Sequence, residues 1–116
     1  MVDLVKELEN LSHLYHIDYF NTGTTRNPDN IPLVHDIIKA SSNGFCTVMV
    51  SDHREIDFEA AHRTAALMKR LSKITGDGFA NLRFAALFNT RPGSPFYPAA
   101  YTAILGRLFA IALRFC

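Results

Sequence analysis

The residues best suited to acid–base chemistry are adjacent: Asp52 and His53 follow the apolar segment FCTVMV. A carboxylate beside an imidazole raises the pKa of the ring, and such a pair can transfer protons near neutral pH. The commoner role of such a histidine is a solvated position in a loop at the start of a helix. Asp52 and His53 are therefore the candidate catalytic residues, with the solvated loop as the alternative.

A second set of side chains could hold a small anion. Arg91 can offer its planar fork of N–H donors to a carboxylate or phosphate, although a plain surface arginine is the commoner case. The three prolines of the neighbouring segment PGSPFYP fix the backbone, so ordering a binding loop there forfeits little entropy. Tyr97 in that segment could stack on a planar ligand or pack against the fold. The candidate ligand-binding residues are Asn21, Asn89, Arg91, Ser94 and Tyr97.

The sequence offers little for a metal or a reactive thiol. His13 and His16 have a spacing that metal ligands can use, but no third ligand accompanies them. Cys46 lies in an apolar segment and Cys116 is the last residue, so neither a disulfide framework nor a metal motif is indicated. We expect Cys46 to be buried and inert, no metal site, and a reducing cytoplasmic location. The identity of any cofactor stays open.

Alternating helices and strands must position these residues. The predicted elements are a helix over residues 3–15, a strand over 17–20 closed by a turn at 21–25, a helix that begins near Pro28, a strand over 45–50, a helix capped by Asp57, and a strand over 82–88. The predicted buried faces are Leu4, Val5, Leu8, Leu11 and Tyr15 in the first helix, Ile31, Val34, Ile37 and Ile38 in the second, and Phe58, Ala61, Ala65 and Met68, widened by Leu67, Leu71 and Ile74, in the third.

This alternation predicts an α/β fold of βαβ units with a parallel sheet. Ligands of such folds bind outside the carboxyl ends of the strands. Those ends carry residues 21–23, 51–53 and 89–91. If the strands pair in chain order, right-handed crossovers place both helices on one face. The second and third strands are nevertheless apolar on both sides, so the face without helices also needs to be covered. The interior of a barrel provides such a cover, and we therefore expect the chain to be part of a larger barrel.

Composition and charge narrow the class of protein. The chain has 116 residues, 48% of them hydrophobic and 20% charged, which fits one globular domain. The net charge of +1 gives no reason to expect a nucleic-acid partner, and no segment is a credible membrane span. All eleven acidic residues lie at or before Asp77, whereas the remainder holds four arginines. This imbalance indicates an anionic ligand, an acidic partner surface, missing acids, or chance.

The segment GDGFANLRFAALFNTRPGSPFYPAAY, residues 76–101, resembles the bacterial and archaeal family called domain of unknown function 711. Residues 81–87 are similar to its strand, and most of residues 92–101 are similar to its Pro-Gly-Thr/Ser-Pro loop. The resemblance implies a fold similar to the pyruvate formate-lyase-like barrel, in proteins several times longer. It implies no activity.

These observations predict a partial α/β barrel domain over residues 1–101 and an apolar C-terminal tail over residues 102–116, in a truncated fragment of the family. The leading hypothesis is an uncharacterised barrel-like protein that binds a small anionic metabolite; whether it is an enzyme stays open. The alternatives are a non-catalytic interaction module that self-associates through exposed sheet edges, and a truncated product without function.

Overall fold

The structure, a computed structural model, describes residues 1–52 and 55–92. The chain begins with helix α1 (Val2–Leu14), strand β1 (Phe20–Thr25) and a short 3₁₀ turn (Pro28–Asn30). Helix α2 (Ile31–Ala40) leads to strand β2 (Gly44–Asp52) and to the two-residue strand β3 (Glu55–Ile56). Helix α3 (Phe58–Leu71), the one-turn helix α4 (Phe79–Leu82) and strand β4 (Phe84–Phe88) follow. The predicted tail over residues 102–116 lies outside the described residues.

The sheet has β2 at its centre. β1 and β4 pair with β2 in parallel on either side, and β3 pairs antiparallel with the last two residues of β2. The three parallel strands therefore lie in chain order, joined by helical crossovers. This confirms the predicted α/β fold with an open parallel sheet and alternating strands and helices.

The main core lies between the sheet and the helices. The second helix buries the four residues predicted for its face, Ile31, Val34, Ile37 and Ile38. From β2, Cys46, Val48 and Val50 point into the same core, as alternation along a strand requires. Helix α3 begins as predicted, because the Asp57 side chain accepts a hydrogen bond from the backbone N–H of Ala60 at 2.9 Å.

The face of the sheet away from this core is buried along β2 as well. Phe45, Thr47, Met49 and Ser51 alternate with the core residues of β2, and each has less than a tenth of its surface exposed. Burial on both faces of this strand confirms the prediction made from the segment FCTVMV.

Two helix faces differ from the prediction. In α3 the buried stripe is Ala60, Thr64, Leu67 and Leu71, whereas Phe58 and Met68 are 77% and 48% exposed. In α1 only Val5 and Ser12 are buried, and the predicted positions Leu4, Leu11 and Tyr15 are exposed. Both helices therefore contain more apolar residues than are buried against the rest of the protein.

The first strand also differs from the prediction. β1 spans Phe20–Thr25, so it includes the polar residues 21–25 that were predicted to form a turn. Pairing with β2, Phe20 beside Gly44 and Thr25 beside Val48, holds this segment extended. Among residues 1–52 and 55–92, no helix has both the length and the apolar character needed to cross a bilayer.

Arg83 connects α2 to the sheet from the start of β4. Its guanidinium is buried and donates to the carbonyl oxygens of Ile38 (2.8 Å), Ser41 (2.7 Å) and Gly44 (3.2 Å). These carbonyls lie where α2 ends and β2 begins, and a cation is favourable at that end of a helix. One of the four arginines behind the predicted anion preference therefore has a structural role.

Candidate functional site

The carboxyl ends of β2 and β4 meet at Ser51 and Asn89. The Ser51 hydroxyl donates to Asn89 Oδ1 at 3.1 Å, and the Asn89 backbone N–H donates to the Ser51 carbonyl at 2.9 Å. Asn89 has a φ of 50°, a left-handed conformation that non-glycine residues rarely adopt. Such a conformation persists only where the surroundings impose it, and it is found preferentially at binding sites.

Each side of β2 carries an irregularity in its pairing. The register with β1 shifts between Asn21 and Thr24, where Gly23 has a φ of 95°, and the register with β4 shifts between Met49 and Ser51. Bulges turn side chains away from the regular pleat and are common beside active sites. The shift beside β4 lies near the carboxyl end of β2, whereas the shift beside β1 lies opposite residues 45–47, in the amino-terminal half of β2.

The β1 bulge brings hydroxyl groups together on the sheet face away from the main core. Thr24 Oγ1 lies 2.7 Å from Thr47 Oγ1, and the Thr47 hydroxyl donates to the Gly23 carbonyl at 2.9 Å. Ser51 is four residues further along β2 on the same face, about 13 Å away. Met49 lies between them on this face, so the hydroxyl pair of Thr24 and Thr47 is separate from the Ser51–Asn89 contact. Thr24 and Thr47 were not among the predicted site residues. Thr47 is the one clearly polar residue in the apolar segment FCTVMV, and this was the only sequence feature that could have indicated it.

The candidate catalytic residue Asp52 ends β2. Its Oδ2 lies 3.6 Å from Nη2 of Arg26, and the two side chains are 40% and 52% exposed. An exposed ion pair of this kind contributes little to stability. His53, the other half of the predicted pair, lies outside the described residues.

The predicted ligand-binding residues are divided by the structure. Asn21 lies within β1, and its Oδ1 accepts a hydrogen bond from the Gly23 N–H at 2.7 Å, so it holds the bulge in shape. Asn89 takes part in the contact with Ser51, and Arg91 is an exposed residue two positions further on. Ser94 and Tyr97 lie outside the described residues.

No metal-binding constellation forms in the described segments: nowhere in residues 1–52 and 55–92 do three His, Cys, Asp or Glu side chains come together to hold an ion. His13 is in the last turn of α1, whereas His16 follows the helix with a φ of 56°. The two imidazoles therefore do not share a helical face.

Cys46 has the environment of a structural cysteine. It is 2% exposed, on the core side of β2, with its Sγ 3.2 Å from the Thr22 hydroxyl. Burial raises the pKa of this thiol, so the thiolate that nucleophilic chemistry needs is scarce at neutral pH. Thiol chemistry therefore does not belong to Cys46.

We expect the burial of Cys46 to protect it from alkylation. In a Cys116→Ser variant, iodoacetamide at pH 8 should label Cys46 at least about 100-fold more slowly in the folded protein than in guanidinium chloride. Mass spectrometry of timed samples measures the two rates. Equal rates would show that the thiol is accessible and would contradict this assignment.

The fold and the carboxyl edge of the sheet together define a class of protein. It is an open parallel α/β sheet with a helical layer on one face and polar side chains at the carboxyl ends of its strands. The chain belongs to the family described as Uncharacterised ACR (DUF711), whose profile matches residues 1–114. This confirms the resemblance seen in residues 76–101. Neither the curated proteins nor the solved structures contain a match to the chain.

Proposed function

We propose that this protein binds a small anionic metabolite at the carboxyl edge of its sheet, as part of a larger pyruvate formate-lyase-like α/β barrel. The observation that carries the proposal is the Ser51–Asn89 contact. It joins the ends of two neighbouring strands, with Asn89 held in a left-handed conformation. Ligands of parallel α/β folds bind at this edge.

The barrel part of the proposal is supported by the sheet. Within the described residues, β1 and β4 each pair with a neighbouring strand on one side only. β2 is buried on both faces, as strands of a barrel are, since its interior is filled by side chains of its own strands. An open sheet of parallel strands in chain order is the arrangement that further βα units could extend into a closed barrel.

The ligand part is supported by the chemistry of the edge. Ser51 is buried and its hydroxyl already donates to Asn89, so the exposed polar group at this edge is Asn89. Its side-chain amide can donate and accept hydrogen bonds and carries no charge. Of the charged residues described near this edge, Arg26 already pairs with Asp52. Selectivity for an anion would therefore come from Arg91, which follows Asn89 closely and can form a bidentate contact.

We expect Arg91→Ala to weaken the binding of a small anion by about 1–3 kcal/mol and to leave the fold intact, because Arg91 is exposed. Arg91→Lys should lose most of the same affinity, since an ammonium group lacks the planar fork. Calorimetric titration of the full chain with inorganic phosphate and with succinate measures the effect.

Lys69→Ala is the matched control, because it removes one exposed positive charge from α3, away from the carboxyl edge. It should leave both affinities unchanged. Equal affinity with and without Arg91 would contradict the proposal. If neither anion binds and light scattering shows the mass rising with concentration, the alternative of an interaction module is favoured; Leu82 and Phe88, 64% and 59% exposed beside and on β4, could form its contact surface.

A further inference from the structure

We propose a second anion site, at the opposite end of the molecule, that binds a small compound carrying two or more linked phosphate groups. The site is a cavity of about 390 Å³ between the C-terminal halves of α2 and α3. Its lining consists of His35, Lys39, Arg70, Lys73 and Ile74. This proposal is independent of the one made for the carboxyl edge.

The two helices bring these side chains together by simple spacing. His35 and Lys39 are four residues apart on α2 and so share one face of that helix. Arg70 is in the last turn of α3, and Lys73 and Ile74 follow in the next turn. Ile74 is half-buried against the core and supplies the apolar part of the wall. Because α2 ends just before β2 begins, the cavity lies near the amino ends of the strands.

Three cationic side chains line this cavity. Among the described residues no carboxylate lines it, and the side chains of Lys39, Arg70 and Lys73 have neither a hydrogen bond nor an ion pair there. The nearest acid along α2, Asp36, accepts a contact from His35 Nδ1 at 3.1 Å. Like charges gathered without partners repel one another, and a bound anion removes that repulsion.

Helix capping does not account for these cations. The carbonyl oxygens of Ile38 and Ser41, where α2 ends, already accept hydrogen bonds from Arg83. At the end of α3 the carbonyls of Met68, Arg70 and Leu71 accept from backbone N–H groups of the following turn. Other exposed arginines do have acidic partners: Arg63 pairs with Asp29 and Glu59. Within the described residues, Lys39, Arg70 and Lys73 are thus cations without acidic partners that line the same cavity.

The size and the charge of the cavity define the class of ligand. A volume of about 390 Å³ lies within the range of small-molecule sites. Three cations from two helices need several negative oxygens distributed over a few ångströms, which linked phosphates supply and a single carboxylate does not. Arg70 can bind one phosphate through its planar fork, and Lys39 and Lys73 act on the rest as point charges.

Titration of the full chain with pyrophosphate tests this proposal. We expect saturable binding that weakens about 3- to 10-fold in each of Lys39→Gln, Arg70→Gln and Lys73→Gln. Lys69→Gln is the matched control, since it removes a charge from the same turn of α3 but does not line the cavity. It should change the affinity less than 2-fold. Unchanged thermal midpoints of the variants would show that each is folded.

Four results would overturn the proposal. Pyrophosphate binding that does not saturate, or a loss of affinity in Lys69→Gln as large as that in Arg70→Gln, would indicate only diffuse attraction. Loss of pyrophosphate binding in Arg91→Ala but not in Arg70→Gln would place the ion at the carboxyl edge. Tighter binding of a glutamate-rich peptide than of pyrophosphate, through the same three residues, would show a surface for an acidic protein.

Discussion

Replacing Arg83 with methionine should lower the free energy of unfolding by about 3–5 kcal/mol. The guanidinium is 3% exposed and donates to three carbonyl oxygens at the junction of α2 and β2. Methionine has a similar length but no donor, so these buried carbonyls would lose their partner at about 1–3 kcal/mol each, with some relief from rearrangement. Such a loss is a large part of the total stability of a domain of this size.

Urea unfolding followed by circular dichroism measures this effect. Arg83→Lys should fall between the wild type and Arg83→Met, because an ammonium group keeps the charge but cannot reach all three oxygens in their fixed geometry. It also provides a measurement if the methionine variant does not fold. Arg63→Ala is the control, since it removes an exposed arginine that pairs with Asp29 and Glu59, and its effect should be much smaller. A wild-type midpoint for Arg83→Met would contradict the capping role.

The burial of Arg83 also shows what charge counting along the chain cannot reveal. Burial lowers the pKa of this guanidinium, which nevertheless stays protonated in any buffer that proteins tolerate. From the sequence it counted toward an anion-binding C-terminal third. Its partners are backbone oxygens about 40 residues away in the chain, and no local pattern reports a contact of that kind.

Features governed by local spacing could be predicted. The four buried positions of α2 recur at helical intervals, and Asp57 caps α3 because its carboxylate reaches the free N–H groups of its own first turn. The apolar run of β2 indicated burial on both faces, and alternation of elements indicated a parallel sheet. Each of these depends on residues close together in the chain.

Features governed by pairing could not be predicted in the same way. The segment NTGTT in β1 has the composition of a turn, and it is extended because β2 pairs with it and Thr47 bonds to it. The candidate site depends on the same non-local information. Ser51 and Asn89 were both placed at strand ends by the sequence, but their contact and the strained backbone of Asn89 arise only when β2 and β4 align.

The second large expected effect on stability concerns the buried face of α3. Leu71→Ala should lower the free energy of unfolding by about 2–5 kcal/mol, because Leu71 is fully buried and its truncation leaves a cavity in the core. Met68→Ala, on the same helix, should change it by less than about 0.5 kcal/mol, since that side chain is half exposed. Both free energies come from urea unfolding monitored by circular dichroism.

Comparing Leu71→Ala with Met68→Ala distinguishes two orientations of α3 about its own axis. The sequence predicted a buried line through Phe58, Ala61, Ala65 and Met68, widened by Leu67, Leu71 and Ile74. The structure confirms the burial of Leu67 and Leu71, but the residues buried with them are Ala60 and Thr64, and Phe58 and Met68 are exposed. The smaller side chains of Ala60 and Thr64 are buried, whereas the larger Phe58 is 77% exposed. If Met68→Ala destabilised the protein as much as Leu71→Ala, the helix would be rotated toward the predicted line. The cationic cavity, which needs Arg70 and Lys73 to face α2, would then lose its geometric basis.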